Sequence, residues 1–168
     1  MISILIPVMN YDCSALVDDL YVQAERLRMG TGVDYEIIVG DDASTDVVTV
    51  NSNKEACSRP RCRFVSNAVN YGRAKNRNAM AELSKGDLLL IIDCDAKVCR
   101  QNFLASYIEA AKGNDVVCGG IAAPNSLPSP DVTLRYKYER NARKVRSFEY
   151  RVANPYRHFS TFNVLIRR

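Results

Sequence analysis

The sequence contains no tryptophan, a single histidine and no long apolar run. The apolar runs Ile2–Met9 and Leu88–Ile92 fall far short of the roughly 20 residues that a membrane-spanning helix needs. Ile2–Met9 also lacks a basic flank and a small-residue cleavage site, so the sequence predicts neither a membrane span nor a signal peptide. We therefore expect a soluble, cytoplasmic protein.

Two common kinds of site are also missing. The sequence has neither of the glycine-rich phosphate loops GxGxxG and GxxxxGKS/T. Its six cysteines include two pairs separated by four residues, Cys57/Cys62 and Cys94/Cys99, whereas zinc sites usually separate paired cysteines by two. We therefore expect reduced thiols and no structural zinc.

The charge is unevenly distributed along a chain of otherwise ordinary composition. The 168 residues are 47% hydrophobic and 25% charged, which is typical of one globular domain and excludes a disordered tail or a fibre. Residues 1–132 carry 13 basic and 17 acidic residues, whereas residues 133–168 carry 10 basic and 2 acidic ones, so −4 and +8 give the net charge of +4. Such a basic segment can attract phosphates, nucleic acid or anionic lipid, or it can be a solvated helix face.

Strand and helix patterns alternate along the chain. A first helix is capped by Ser14 and stopped by Gly30 and Gly32, and a second is capped by Ser44 or Asp46. A proline-containing loop at 124–130 precedes a basic helix over 134–145 and a strand-like segment over 159–166. The other predicted segments are strands at 2–6, 35–39, 63–65, 87–92 and 116–119 and helices at 73–83 and 102–112. This order predicts an α/β fold with a largely parallel central sheet.

Polar residues follow three of the predicted strands, in the segments Pro7–Asn10, Asp41–Ser44 and Asp93–Asp95. Ligands of parallel sheets bind beyond the carboxyl ends of the strands, so these segments locate a site. Asp93 and Asp95 can both reach a hard cation such as Mg²⁺ or Mn²⁺, which often completes its shell with substrate phosphates. The simpler alternative is two solvated loop aspartates.

Two further groups of charges have alternative explanations. Asp41 and Asp42 can accept a hydrogen bond from a base or ribose, or they can cap a helix. Arg73, Lys75 and Arg77 lie at a predicted helix start, where cations oppose the helix dipole. An anionic or base partner explains them, and so does simple solvation.

Four motifs occur in one order, in residues 4–10, 35–46, 70–78 and 88–95. Together they resemble the inverting family 2 glycosyltransferases, which have the three-layer, Rossmann-like GT-A fold. The likeness covers residues 1–120, and 163–168 resembles the strand before the acceptor-side motif of that family. It implies a single GT-A-type domain, with a nucleotide-sugar-binding half at 1–120 and the incomplete start of the acceptor-side half at 121–168.

The resemblance also implies roles for individual residues. Asp42 would contact the base, commonly uracil, beside Asp41, and Asp93 would lie near the ribose. Asp95, with Asp93 next to it, would hold the Mn²⁺ or Mg²⁺ that bridges the diphosphate, and Cys94 lies between them. Met9 stands where the family usually has tyrosine. The other implied members of the site line the nucleotide pocket (Pro7, Val8, Asn10), close around the base (Asn70, Gly72, Arg73) or support the site (Arg77, Asn78).

The implied function is transfer of a sugar from a nucleotide-diphosphate sugar, commonly a UDP-sugar, to an acceptor hydroxyl. The family's general base lies just beyond the strand that 159–168 resembles, so the catalytic residue is unknown. A nucleotide-sugar-binding module without turnover is therefore the alternative. The implied partners are the donor, a glycan or lipid-linked acceptor of polysaccharide biosynthesis and, through the basic segment, the anionic inner face of the membrane, but no nucleic acid.

Overall fold

The computed structural model describes residues 1–122, 126–127, 129–141, 147–154, 157 and 159–168. Its strands are β1 (Ile2–Val8), β2 (Tyr35–Asp41), β3 (Cys62–Ser66), β4 (Leu88–Ile92), β5 (Val116–Cys118) and β6 (Asn163–Arg167). Its helices are α1 (Ser14–Thr31), α2 (Val47–Ala56), α3 (Gly72–Leu83), α4 (Phe103–Ala110), α5 (Thr133–Asn141) and α6 (Phe148–Ala153). A 3-10 turn at Pro130–Val132 leads into α5.

The six strands form one sheet in the order β3-β2-β1-β4-β6-β5. Strands β1 to β4 are mutually parallel, and β6 runs antiparallel to both β4 and β5. The prediction of a largely parallel sheet is therefore confirmed. Because β6 is reversed, its first residue, Asn163, pairs with Ile92 at the carboxyl end of β4. The start of β6 thus lies at the same sheet edge as the ends of the parallel strands.

The core lies on both faces of the sheet, because alternate residues of β1 and β2 point to opposite sides. Ile4 and Ile37 belong to the cluster that includes α1 and α4, whereas Leu5 and Ile38 pack with Met80 of α3. All of these side chains are at most 1% exposed. The sheet is therefore the middle of three layers.

Helix α3 approaches β2 closely at one glycine. A β-carbon on Gly40 would lie 2.3 Å from the sulfur of Met80, so a side chain there would displace the methionine. Asn76 of the same helix donates to the Gly40 carbonyl at 2.9 Å. The close approach brings the N-terminus of α3 to the end of β2.

The predicted elements are confirmed within the described residues, with shifted ends, and α6 is an additional helix. The prediction that Ser14 caps α1 is wrong, because the helix begins at Ser14 after Cys13, which makes no side-chain capping bond. Strand β1 continues past its predicted end to Val8, through Pro7. Proline has no backbone N–H to donate to a neighbouring strand. It is tolerated at position 7 because β1 pairs with β4 only up to Leu5. Gly32, with φ of 73°, caps α1, and Asp46, not Ser44, caps α2 by accepting from the Val48 N–H at 3.0 Å.

The basic helix begins at Thr133, one residue before its predicted start, and is described to Asn141. Parts of the predicted proline-containing loop and of the basic segment lie outside the described part of the chain, and so does the single histidine: Pro124, Pro128, Arg143, Lys144, Arg146 and His158. Within the described residues, no helix has both the length and the apolar character needed to cross a bilayer.

Candidate functional site

The loops after β1 and β2 are joined by Asn10. Its backbone N–H donates to the Ser44 hydroxyl at 2.8 Å. Its side-chain oxygen accepts from the backbone N–H groups of Thr45 at 2.7 Å and Asp46 at 3.0 Å. Asn10 adopts a left-handed φ of 48°, a conformation in which asparagine is enriched. This side chain therefore shapes the loop pair.

Two other predicted pocket residues lie just before this junction. Pro7 is half-buried and Val8 is buried. The Val8 carbonyl accepts from the Asp42 N–H at 2.9 Å, which extends the pairing of β1 and β2 beyond the strands. Met9, which follows, is 48% exposed. Of these three residues, Met9 thus presents the largest surface to a ligand.

Asp41 is buried at the end of β2, and its carboxylate is satisfied by serines. It accepts from the Ser66 hydroxyl at 2.8 Å and from both the hydroxyl and the backbone N–H of Ser44. Asp41 is only 2% exposed. It therefore ties the end of β3 to the loop after β2.

Asp42 caps helix α3. Its carboxylate accepts from the backbone N–H groups of Tyr71 at 2.7 Å and Gly72 at 2.8 Å, and from the Asn67 amide at 3.0 Å. Asp42 is 5% exposed, and a negative charge at a helix N-terminus is stabilised by the helix dipole. The capping alternative considered for this residue is thus present, on α3. Contact with a base stays a prediction.

Asn70 and Gly72 form the turn that starts α3. The Gly72 N–H also donates to the Asn70 side-chain oxygen at 2.8 Å, and Gly72 has a left-handed φ of 76°. The Asn70 amide nitrogen lies 3.0 Å from the Met9 sulfur. The loops after β1 and β3 therefore meet at the exposed Met9.

Arg77 of α3 forms an ion pair with Asp93, directly after β4. The two side chains are 16% and 22% exposed, so the pair is largely shielded from water. The Asp93 N–H donates to the Phe162 carbonyl at 2.9 Å, which links the pair to the approach to β6. The Arg77 Nε is buried and has no partner among the described residues. This pair therefore connects α3, β4 and β6 at the site.

Cys94 and Asp95 differ in exposure. Asp95 is exposed, whereas Cys94 is half-buried. Burial, reinforced by the charges of Asp95 and Asp93, raises the pKa of the Cys94 thiol, and the exposed Arg73 partly opposes this effect. The raised pKa keeps the thiol protonated at neutral pH, so Cys94 is a weak nucleophile. Arg73 lies one turn before Arg77 on α3, on the side of the helix from which Arg77 pairs with Asp93.

The donor set determines what kind of metal could bind here. Within the described ranges, no group of three or more histidine, cysteine or acidic side chains is arranged to hold a metal ion. Mg²⁺ and Mn²⁺ in phosphate-handling sites are often held by one or two carboxylates, with substrate phosphates completing the shell. Asp95 offers one exposed carboxylate and Asp93 another that Arg77 partly occupies. The residues fit a metal that binds together with a diphosphate.

The structure brings the predicted site residues to one edge of the sheet but divides them into two groups. The carboxylates of Asp41 and Asp42 are buried and bonded within the protein, as is the side-chain oxygen of the exposed Asn10. Arg73 and Asp95 are exposed. Sequence reasoning missed three supporting residues, namely Ser66, Asn67 and Asn76, and it considered Ser44 only as a helix cap and as part of a polar segment. A polar Asn76 on the buried side of an amphipathic helix is a signal that could have been noticed.

Known proteins resemble this chain in sequence. The family model described as Glycosyl transferase family 2 matches residues 3–167. A Haemophilus influenzae protein named as an uncharacterized glycosyltransferase is 37% identical over 95 residues, 56% of this chain and 29% of the relative. The undecaprenyl-phosphate 4-deoxy-4-formamido-L-arabinose transferase of Pseudomonas paraeruginosa is 30% identical over 119 residues, 70% of this chain. The chain spans 34% of the length of that second relative.

Solved structures share the architecture at low sequence identity. The mannosyltransferase PcManGT from Pyrobaculum calidifontis, in complex with GDP-Man and Mn²⁺, has a TM-score of 0.62 at 18% identity, covering 99% of this chain and 44% of that chain. The S. aureus protein TarS, in complex with UDP-GlcNAc, has a TM-score of 0.61 at 20% identity, covering 77% and 36%. At these identities the likeness concerns the fold.

Proposed function

This chain belongs to glycosyl transferase family 2 and has a GT-A fold, and on that premise we propose that it binds a nucleotide-diphosphate sugar, a UDP-sugar, at the edge formed by β1 to β4. The observation that carries the proposal is that Asp95 and Arg73 are exposed, whereas Asp93, two residues before Asp95, and Arg77, one helical turn after Arg73, form a shielded ion pair. A solvated loop would leave all four charges free. Here Arg77 and Asp93 are fixed by their ion pair, and the charges of Arg73 and Asp95 are available to a ligand.

The proposed donor site has two parts. The nucleoside lies on the β2 side, where Asp42 fixes the turn at Asn70 and Gly72 and Met9 is exposed. The diphosphate lies on the β4 side, near Asp95 and Arg73. In this division residues 1–120 are the donor-binding half, and the segment from 121 to 168 begins the acceptor side.

A divalent ion, Mn²⁺ or Mg²⁺, would be held by Asp95, with Asp93 beside it. When bound, the ion neutralises charge that develops on the diphosphate as it leaves. Arg73 provides a second positive charge near the same position, and Arg77 holds Asp93 in place. The Mn²⁺ of the PcManGT complex supports this choice of metal.

The proposed reaction is an inverting displacement. An oxygen of the acceptor attacks the anomeric carbon while the bond from that carbon to the diphosphate oxygen breaks, and the nucleoside diphosphate leaves with the electron pair. A base takes the proton of an acceptor hydroxyl, and none of the described carboxylates is assigned to that role. The name of the Pseudomonas paraeruginosa relative contains undecaprenyl phosphate, which supports a lipid-linked acceptor. We propose that this acceptor lies at the inner face of a membrane and serves polysaccharide biosynthesis.

Equilibrium dialysis with UDP, GDP and CDP in the presence of Mn²⁺ tests the donor. We expect UDP to bind most tightly and Asp95→Asn to weaken binding and abolish its Mn²⁺ dependence. Asp19→Asn, an exposed carboxylate on α1, is the matched control and should leave binding unchanged. Equal binding of the three nucleotides would contradict the UDP assignment, and failure of all three to bind the folded protein would contradict the donor site.

A further inference from the structure

Helix α5 turns apolar and basic side chains outward. Leu134 and Tyr138, one turn apart on the same side of the helix, are 83% and 65% exposed. Tyr136, on the other side, is half-buried. A helix of a globular domain normally directs its apolar stripe to the core, and α5 does the reverse. Its three described basic residues are also exposed, namely Arg135, Lys137 and Arg140.

Helix α6 repeats this arrangement and is fixed at the edge of the sheet. Phe148 and Val152, again one turn apart, are 69% and 63% exposed. Arg151 of the same helix donates from Nη1 to the Cys118 carbonyl at 2.9 Å and the Gly119 carbonyl at 3.2 Å. These carbonyls end β5, at the edge where the candidate site lies. The apolar side chains of α6 are therefore carried by an anchored helix next to that site.

We propose that α5 and α6 dock on an anionic lipid surface through six residues, called the lipid face: Leu134, Arg135, Lys137, Arg140, Phe148 and Val152. Interfacial helices insert apolar side chains at the boundary between headgroups and acyl chains and place lysine and arginine against lipid phosphates. The three exposed cations of α5 complement such a surface. The proposal rests on the lipid-linked acceptor proposed above, because docking would bring that acceptor to the site.

Other occupants explain only part of this surface. A second copy of the chain would bring the three exposed cations of α5 against the same three cations, and like charges oppose association. A nucleic acid would satisfy the cations, but it offers stacking partners to aromatic rings and nothing comparable to Leu134 and Val152. A bilayer surface accommodates both the cations and the aliphatic side chains.

Cosedimentation with vesicles tests the proposal. We expect the protein to bind vesicles of phosphatidylcholine that contain anionic phosphatidylglycerol, not vesicles of phosphatidylcholine alone, and to dissociate as salt is raised. Each lysine or arginine near a charged surface changes the affinity about fivefold, so Arg135→Gln/Lys137→Gln/Arg140→Gln should weaken binding about a hundredfold. Leu134→Ser/Phe148→Ser should weaken it independently of salt.

Two control variants on other surfaces match these changes. Val22→Ser/Met29→Ser alters exposed apolar residues of α1, and Arg26→Gln/Lys85→Gln/Arg100→Gln removes three exposed cations elsewhere. Both should bind anionic vesicles like the unaltered protein. Three results would overturn the proposal. The folded protein could fail to bind vesicles, the lipid-face and control variants could lose vesicle binding equally, or Leu134→Ser/Phe148→Ser could change the monomer–dimer equilibrium.

Nucleotide binding measured on the same samples separates the two proposals. UDP binding without vesicle binding would refute the lipid face and leave the donor site standing. Vesicle binding without UDP binding would refute the donor site.

Discussion

The carboxylate of Asp42, just after β2, accepts the backbone N–H of Gly72 at 2.8 Å and so caps helix α3. These residues are 30 positions apart in the chain. The contact couples the geometry of the proposed nucleoside side to the docking of α3. Helix capping and nucleotide binding are therefore expected to respond together to changes at Asp42.

Replacing Asp42 with alanine should destabilise the protein more than losing an ordinary cap. Loss of a helix cap costs about 1 kcal/mol, and a buried donor left without an acceptor adds about 1–3 kcal/mol. We therefore expect Asp42→Ala to lower the free energy of unfolding in urea by about 3 kcal/mol. Asp46→Ala, which removes the exposed cap of α2, should cost about 1 kcal/mol. Equal losses in the two variants would contradict the buried role of Asp42.

The Arg77–Asp93 ion pair should show a measurable coupling energy. The pair is shielded, and each single change leaves the other charge without its partner. In a double-mutant cycle with Arg77→Met and Asp93→Asn, we expect a coupling of about 2 kcal/mol in urea unfolding. The exposed pair Lys112–Glu109, about 70% exposed on each side, serves as the control and should give less than about 0.5 kcal/mol. A coupling no larger than that of the control would show that the pair does not hold Asp93.

Thiol reactivity should follow exposure and charge. Burial raises the pKa of Cys57 to about 12, and burial with the neighbouring carboxylates raises the pKa of Cys94. At neutral pH, iodoacetamide should therefore modify the exposed Cys99 first, as read by mass spectrometry of peptides. Asp95→Asn removes a charge that raises the Cys94 pKa, so it should speed the alkylation of Cys94 and leave Cys99 unchanged. Faster reaction of Cys94 than of Cys99 in the unaltered protein would contradict this electrostatic picture.

Acid should weaken the fold partly through Glu25. Hydrogen bonds from Arg28 and Tyr35 lower the pKa of Glu25 to about 2 in the folded protein. Because the folded pKa lies below the unfolded one, this stabilisation is present above the ordinary glutamate range, near pH 4.5, and is lost as the pH falls towards 2. Glu25→Gln should therefore reduce the decrease in unfolding midpoint between pH 5 and pH 2. An unchanged pH profile would show that the Glu25 interactions do not contribute.

The sheet edge that holds the site could be predicted from the sequence, whereas the hydrogen bonds that fix the side chains of the site could not. Strand ends followed by Asp41, Asp42, Asp93 and Asp95 are visible as local patterns, and the structure places all four at one edge. The groups that form hydrogen bonds or ion pairs with these aspartates are far from them in the sequence. Asp42 bonds to groups 25 to 30 residues away, and these contacts exist only once α3 packs over Gly40.

Strand order was equally inaccessible to sequence reasoning. The antiparallel insertion of β6 between β4 and β5 depends on pairing across 75 residues, from Leu90 to Leu165, and no local pattern encodes it. Contacts between distant parts of the chain also decide which charged side chains are paired and which are exposed. Arg73 and Arg77 are two arginines one turn apart on the same predicted helix. Only Arg77 forms the ion pair with Asp93, whereas Arg73 is exposed.

Thermal unfolding with UDP tests the donor site most directly, with Mn²⁺ present or replaced by EDTA, on the unaltered protein, Asp95→Ala and the control Asp19→Ala. A ligand at 100 times its dissociation constant stabilises the folded state by about 2.7 kcal/mol, which for a chain of this size raises the midpoint by roughly 5–10 °C. We expect that rise for the unaltered protein and for Asp19→Ala, only with Mn²⁺, and we expect Asp95→Ala to abolish it. A cooperative transition that UDP and Mn²⁺ leave unmoved, or a rise that survives Asp95→Ala, would contradict the proposed donor site.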